Sequence, residues 1–222
     1  KAPTGTSGFD KLCFEGMRLI KESGAYGEEN STYRVASNRH IKAEVQGSGC
    51  SLNMNGMKDC RIVVTRPNGN KLIFKSQKDQ RRFFIHQIRD PMGNSMEIKW
   101  DNWGDRETVL RKIQWTKTIS EGPTREVFLH YRLRHDDVDE FFGGQKHVRH
   151  HIVSQIDVKS LHQGKWVNNF KYKFNHSRGY STKRNLLKWI QFCGTDDKTG
   201  KEVCLPETSF TYSDGDVEGP FK

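Results

Sequence analysis

The chain has 222 residues, a formal net charge of +10, 33% hydrophobic residues and a mean hydropathy of −0.84. This length allows one domain with a hydrophobic core, and the low apolar content favours antiparallel sheets that are solvated on one face. No run of about 18 apolar residues occurs, which excludes a membrane-spanning helix. Basic residues alternate with apolar ones, as is typical of solvated strand faces, so no specific nucleic-acid binding is expected.

The first quarter of the chain predicts short strands joined by tight turns. Residues 1–8 are rich in Gly, Thr and Ser and are expected to form a loose leader. Leu12 to Ile20 predicts a strand pair that turns at Glu15-Gly16, and Tyr33 to Val45 predicts a hairpin with a polar connection. The apolar residues alternate with a period of two, which indicates strands rather than helices.

An internal repeat predicts two hairpins of the same kind. Residues 66–75 read RPNGNKLIFK and residues 90–99, which start twenty-four positions later, read DPMGNSMEIK. Proline presets φ at the first turn position, and glycine readily adopts the left-handed conformation that the turn requires. We therefore predict Gly69 and Gly93 to be the turn glycines of two hairpins.

The middle of the chain predicts a further hairpin and then an acidic loop. Strands over Val109–Thr116 and Glu126–Leu133 would close around the sequence SEGP. The loop that follows, His135–Glu140, brings carboxylates close together in the chain, and Ca²⁺ prefers oxygen ligands. It is therefore a weak candidate for a calcium site, with a solvated loop as the alternative. The candidate ligands are Asp136, Asp137, Asp139 and Glu140.

Alternation predicts four more strands towards the end of the chain. Val148–Val158 would turn near Gly164 into Trp166–Phe174, and Leu186–Phe192 and Ser209–Tyr212 would flank a polar loop. Three histidines lie in or just before the first of these strands. We expect them to be surface residues rather than metal ligands, because strand periodicity points His150 away from His147 and His151.

The cysteines predict two short-range disulfides. Cys193 and Cys204 bracket the polar loop, and a disulfide there would close a ring of about a dozen residues and stabilise by about 3 kcal/mol on the loop-entropy model. Cys50 and Cys60 bracket SLNMNGMKD in the same way. Reduced cysteines are the alternative. Cys13 is left over from an odd count of five.

Motifs at both ends of the chain resemble one group of secreted proteins. The early runs FDKLCFEGMRLI, SGAYG and TYR resemble the pattern D-[RK]-x-C-x-[DE]-G-x-R-L, SG-x-YG and x-YRT, and the late run CLPETSFTY resembles C-L-P-x-T-x-F-x-Y. The repeated turns resemble the DPxGN turns of YD-repeat sheets. The group is that of the Rhs/YD-repeat proteins, in particular the SpvB-like virulence proteins and the B components of insecticidal toxin complexes. The chain departs from it at Glu15 and Met17, where Asp and Gln are usual.

The patterns and the resemblance together predict an all-β fold of antiparallel hairpins in extended, twisted sheets, with few or no helices. They also predict that residues 1–222 are a single β-rich segment of a larger protein, which suits a chain that begins at KAPTG without an initiator Met or a signal peptide. The resemblance implies a partner for Cys13 upstream of this sequence, and a buried free thiol is the alternative.

The function that the resemblance implies is structural. Such segments form part of a non-catalytic β-shell or scaffold of a secreted, extracellular protein that encloses or carries an effector. The expected partners are the remainder of the parent chain or neighbouring β-shell domains, and no cofactor is expected. No nucleophile elbow, P-loop or metalloprotease motif occurs in the sequence.

The alternative functions use the positive charge of the chain. One is a secreted β-sandwich or jelly-roll enzyme, a polysaccharide lyase or hydrolase. Another is a glycan-binding module whose basic surface holds acidic polysaccharide. Trp100 and Trp103 in KWDNWGD would then offer a sugar-stacking platform, with core aromatic residues as the alternative.

Overall fold

The computed structural model describes residues 11–51, 60–76, 82–104, 107–118, 120–142, 145–196 and 199–213. Every regular element in those ranges is a β-strand, and every strand pair is antiparallel. The predicted all-β fold is confirmed. These ranges contain no helix that is long and apolar enough to cross a membrane. The predicted leader, residues 1–8, lies outside the described residues.

The chain folds into two compact units, of which the first comprises residues 1–97. Each strand in this unit pairs with the next one along the chain. The strands are β1 Cys13–Phe14, β2 Met17–Ser23, β3 Thr32–Val35, β4 Asn38–Gln46, β5 Arg61–Thr65, β6 Lys71–Ser76, β7 Phe83–Arg89 and β8 Ser95–Trp103, whose last residues belong to the second unit.

The hydrophobic core of the first unit comes from alternate residues of its strands. Tyr33, Val35 and Val45 are fully buried, and Val64 of β5 is 1% exposed. The hydroxyl of the buried Tyr33 side chain is not left without a hydrogen bond, because its Oη accepts one from the backbone N–H of Gly27 at 2.7 Å. The predicted hairpin over Tyr33 to Val45 is present as β3 and β4.

The two repeated turns have the same backbone hydrogen bonds. In each turn the glycine N–H donates to the carbonyl of the residue before the proline, at 2.9 Å for Gly69 and 3.1 Å for Gly93. The residue before the proline donates in turn to the carbonyl of the asparagine, at 2.9 and 3.0 Å. The φ angles of Gly69 and Gly93 are 81° and 90°, in the left-handed region that a side chain resists.

The first turn also lies against the second. A Cβ added to Gly69 would lie 2.8 Å from Cγ of Pro91, which is closer than real Cβ contacts permit. Two separate constraints therefore favour glycine at position 69: the left-handed backbone conformation and the close approach of Pro91 from the next hairpin.

We predict that Gly69→Val destabilises the protein by more than about 1 kcal/mol, because the branched side chain both strains φ and meets Pro91. Urea unfolding monitored by circular dichroism measures the change. Gly122→Val is the matched control, because Gly122 has no positive φ and open space around its Cα. Equal midpoints for the two variants would contradict this account of the turn.

The second unit comprises residues 98–222 and contains the longest strands. From β9 to β14 each strand pairs with its neighbour in sequence, and β15 pairs with β13. The strands are β9 Glu107–Lys117, β10 Arg125–Phe142, β11 Gln145–His162, β12 Lys165–Arg178, β13 Asn185–Thr195, β14 Glu202–Cys204 and β15 Thr208–Ser209.

Two predictions of local structure in this unit are wrong. His135–Glu140 is not a loop, because β10 continues through it to Phe142. The register changes between Leu133, which pairs with His151, and Val138, which pairs with Arg149, so residues 134–137 bulge out of the ladder. The bulge lets β10 continue to Phe142 although the polar residues 134–137 have no pairing partner on β11.

The last strand is also shorter than predicted. It covers Thr208–Ser209 rather than Ser209–Tyr212. Beyond it, Phe210 N–H still donates to Lys188 O at 2.9 Å, and the Tyr212 hydroxyl donates to Leu187 O at 3.0 Å. Single contacts to β13 thus replace a regular ladder at this end.

Candidate functional site

Strand alternation gives the second unit one charged and one apolar face. Pairing aligns Lys112, Phe128, Asp157, Lys171 and Cys193 in one row across β9 to β13. We call the side of the sheet that carries this row the charged face. Neighbouring positions in the ladder carry aliphatic and aromatic residues on the opposite side: Ile113, Val127, Leu129, Ile156, Val158, Phe170, Tyr172 and Phe192.

Glu126 is a buried carboxylate on the charged face. It is 5% exposed, and its Oε2 accepts a hydrogen bond from Gln114 Nε2 at 2.7 Å. The ammonium groups of Lys112 and Lys159 lie 3.3 and 3.7 Å from its oxygens. A buried charge is tolerated only with such partners, so this site is a compensated ion cluster rather than a reactive acid.

Asp157 forms a second compensated cluster beside the first. It is 5% exposed, with His130 Nε2 at 2.8 Å and Gln155 Nε2 at 2.6 Å from its carboxylate oxygens. The ring of Phe128 lies between the cations, with Arg111 at 4.3 Å and Lys159 at 4.8 Å from its centroid. Cation–π contacts of this kind stabilise cations that are partly withdrawn from water.

Glu107 holds the irregular part of β11. Its carboxylate is 4% exposed, and Oε1 accepts hydrogen bonds from the backbone N–H groups of His150 and His151 at 3.2 and 3.1 Å. Its Oε2 lies 2.7 Å from His151 Nδ1. Consecutive N–H groups of a regular strand point in opposite directions, so this arrangement occurs only because the ladder is interrupted here.

Aromatic rings pack around this carboxylate. The Trp103 ring centroid lies 4.2 Å from that of His151 and 5.3 Å from that of Tyr131. The Tyr131 hydroxyl donates to Leu110 O at 2.6 Å, and burial raises the pKa of Tyr131 to about 12 against the opposing charge of Arg111. The Tyr131 hydroxyl thus stays protonated and donates its hydrogen bond at neutral pH.

We predict that Glu107→Ala destabilises the protein by about 1–3 kcal/mol, because it removes the acceptor of two partly buried N–H groups. Chemical unfolding monitored by tryptophan fluorescence measures the change. Glu202→Ala is the matched control: Glu202 is on the surface, where an ion pair contributes about 0–1 kcal/mol. A smaller loss for Glu107→Ala than for the control would refute the role assigned to Glu107.

The structure joins Cys193 to Cys204, which are direct partners in the β13–β14 register. This hairpin also carries Glu202, whose carboxylate binds Lys171 at 2.5 Å and contacts Lys173; hydrogen bonds from both lysines lower its pKa. Within the described ranges, the two cysteines and Glu202 are the one group whose three ligand atoms are close enough for a metal ion. The sulfur atoms are consumed by the disulfide, so the group is not a metal site.

The structure also joins Cys50 to Cys60, and the segment between them, residues 52–59, lies outside the described residues. Cys13 is exposed, and its thiol is free within this chain. The two disulfides are thus closed locally, and the remaining thiol faces solvent.

We predict that peptide mapping without reduction finds both cross-links and that Cys13 alone reacts with iodoacetamide. Replacing Cys193 and Cys204 together by Ala should lower the free energy of unfolding by about 3 kcal/mol, because a short loop is released in the unfolded chain. A double variant at Cys50 and Cys60 provides the comparison for a loop of nearly equal length. Alkylation of all five thiols in the native protein would contradict the pairing.

The predicted calcium ligands each contact a basic side chain. Asp136 forms an ion pair with Arg134 at 3.1 Å. His150 Nδ1 lies 2.8 Å from Asp137. Two further pairs join Asp139 to Lys146 at 2.8 Å and Glu140 to Arg149. A calcium site here stays a prediction, and these pairs would have to open to supply it.

The predicted sugar platform is not assembled on one face. Trp100 and Trp103 are three residues apart in β8, and strand periodicity places them on opposite sides. Trp103 packs against Tyr131 and His151. Of the histidines, His147 is buried, whereas His150 and His151 form the carboxylate contacts described above.

Sequence reasoning missed the three buried carboxylates Glu107, Glu126 and Asp157. Each stands on a strand with alternating pattern, where a charged residue suggests a solvated face. The signal for Glu126 and Asp157 is an opposite charge on the neighbouring strand, and it becomes visible only when the register is known.

Comparison with known proteins identifies the fold. No protein-family model and no curated protein matches the sequence. The solved structure of the N-terminal domain of effector protein SpvB from Salmonella typhimurium strain LT2 aligns with a TM-score of 0.61 at 10% sequence identity, over 82% of this chain and 80% of that one. The chain has the fold of the SpvB N-terminal domain.

Larger toxin structures contain the same fold. The crystal structure of TcdB2-TccC3 aligns with a TM-score of 0.65 at 12% identity, over 89% of this chain. The Photorhabdus luminescens Tc holotoxin pore with the mutation TccC3-D651A aligns with a TM-score of 0.65 at 11% identity, over the same share. This chain spans 13% and 12% of those chains. The resemblance predicted from the end motifs is confirmed at the level of fold.

Proposed function

We propose that this chain is a non-catalytic structural segment of a β-shell, within a larger secreted protein that encloses or carries an effector. The observation that carries the proposal is the shared fold with the N-terminal domain of an effector protein and with short parts of toxin-complex chains. Likeness of fold alone does not assign a function, so the physical properties of the strands supply the remaining argument.

Paired antiparallel strands can form a wall without any reactive group. Backbone hydrogen bonds between neighbouring strands satisfy the polar main chain, and alternation directs charged and apolar residues to opposite sides. In the second unit the buried carboxylates Glu107, Glu126 and Asp157 are all engaged by cations or hydrogen-bond donors. They are therefore better suited to stabilise a sheet than to transfer protons.

The segment would have neighbours in the parent chain or in other shell domains. Residues 1–222 would act together as one part of the parent chain, and the partners would be the rest of that chain or neighbouring shell domains. The exposed thiol of Cys13 would bond to a cysteine outside this sequence. Disulfides of this kind persist in the oxidising, extracellular environment that we propose.

Protection of the effector tests the proposal in the parent protein. We expect the effector to resist a protease that digests the isolated effector, because the shell excludes the protease. Tyr33→Ala, which removes a fully buried ring of the first unit, should open the shell and expose the effector. Equally rapid digestion of the effector in the unaltered parent protein and alone would contradict enclosure.

A second assay addresses the alternative of an enzyme on acidic polysaccharide. The chain is incubated with polygalacturonate, alginate and heparin, and reducing ends and unsaturated uronates are measured. We expect no turnover. Turnover that one side-chain substitution abolishes would replace the structural proposal with the enzymatic one.

A further inference from the structure

An open cavity of about 570 Å³ lies between the bulge of β10 and the connection from β12 to β13. Residues 134–139 line one side, and Arg178 and residues 182–185 line the other. The cavity exists because β10 bulges at residues 134–137, where the backbone N–H of His135 donates to the Asn185 side chain and the Asp136 carboxylate accepts a hydrogen bond from it. Four cations and three carboxylates line it: Arg134, Arg178, Lys183 and Arg184, and Asp136, Asp137 and Asp139.

Each carboxylate of the cavity already has a basic partner. Arg134 binds Asp136 through two of its nitrogens, at 3.2 Å from Nε and 3.1 Å from Nη2, and Asn185 donates a further hydrogen bond to it. Burial alone would raise the pKa of Asp136, but the hydrogen bond from Asn185 and the charge of Arg134 lower it overall. Asp137 and Asp139 have their own partners, described above, which do not line the cavity.

Three cations of the cavity lack a carboxylate partner among the described residues. The Arg178 side chain donates only to a backbone carbonyl, that of Lys183 at 3.4 Å. The Lys183 ammonium lies 4.6 Å above the ring of Tyr180. Arg184 forms no ion pair within the described ranges. The cavity therefore carries a local excess of positive charge.

Two buried nitrogens lie beside these cations without a hydrogen-bond partner in the described part of the chain. They are Arg132 Nε and His176 Nδ1. Arg132 Nη2 donates to His176 O at 2.8 Å, and the two residues precede cavity-lining arginines by two positions on β10 and β12. Burial lowers the pKa of His176, and the charges of Arg132, Arg134 and His135 lower it further. Arg132 thus adds a positive charge two positions along β10 from the cavity-lining Arg134.

We infer that this cavity binds a small oxyanion, that is, a sulfate, phosphate or carboxylate group. Guanidinium groups recognise oxyanions through paired hydrogen bonds, and an anion would offset the repulsion among cations that have no other counter-charge. Because every cavity-lining carboxylate is occupied, a cation would have to displace an existing partner, whereas an anion displaces none. This inference goes beyond the structural role proposed above and does not rest on it.

Titration calorimetry of the whole chain with sodium sulfate, sodium phosphate and sodium glucuronate tests the inference. The titrations are done in chloride buffer of matched ionic strength, so that screening is constant. We expect one saturable site, and we expect Arg178→Ala combined with Arg184→Ala to weaken binding at least about tenfold. The order of affinity among the three anions distinguishes a sulfated or phosphorylated ligand from a carboxylated one.

The matched control removes the same charge elsewhere. Lys165→Ala combined with Lys188→Ala changes exposed positions on β12 and β13 that do not line the cavity, and its affinity should equal that of the unaltered chain. Equal weakening in both double variants would show that net charge alone attracts the anion, and absence of binding by all three anions would show an empty cavity. Either result overturns the inference. If the arginine double variant fails to fold, Arg184→Gln alone serves, with an expected loss of about threefold.

Discussion

Pairing between strands that are adjacent in sequence is the constraint on which the rest of this structure depends. In both units, an antiparallel neighbour is reached through a short turn or a disulfide-closed loop, with β15 as the exception. Local pairing keeps the loop-closure cost of each hairpin low. It also means that a one-residue shift in one ladder would move every side chain of that strand to the opposite face, because alternation decides which side chains lie together.

The two units use this constraint differently. The first buries aliphatic residues and Tyr33 in a hydrophobic core. The second has few fully buried apolar residues in the part that the structure describes, and its charged face is stabilised through compensated carboxylates such as Glu126 and Asp157. The first unit is thus stabilised mainly by apolar packing, whereas ion pairs and hydrogen bonds stabilise the charged face of the second.

Features that are encoded locally could be predicted from the sequence. The strand pattern, the turn glycines Gly69 and Gly93 and the bracketing cysteines all depend on residues a few positions apart. The bulge at residues 134–137 could not be predicted, because it arises from the register between β10 and β11. Without that register, the acidic residues 135–140 indicate a loop rather than a strand.

The candidate site was less accessible to sequence analysis than the fold. Glu107 binds backbone groups of His150 and His151, which are more than forty positions away and are presented by an irregularity in β11. The cavity joins the bulge of β10 to Arg178 and Arg184, and no sequence motif signals that these two arginines form no ion pair among the described residues. Contacts between residues that are distant in the chain produce no periodic pattern in a single sequence, so they cannot be predicted from it.

The contact between Gly69 and Pro91 gives the repeat a fixed unit of length. The proline of one hairpin occupies the space beside the glycine of the previous one, so the spacing of the two turns is set by their packing as well as by the length of the strands between them. Evolution or design could thus extend such a ribbon by whole hairpins that each carry both residues. An insertion of any other size would separate the glycine from its proline, and the two turns would lose their packing contact.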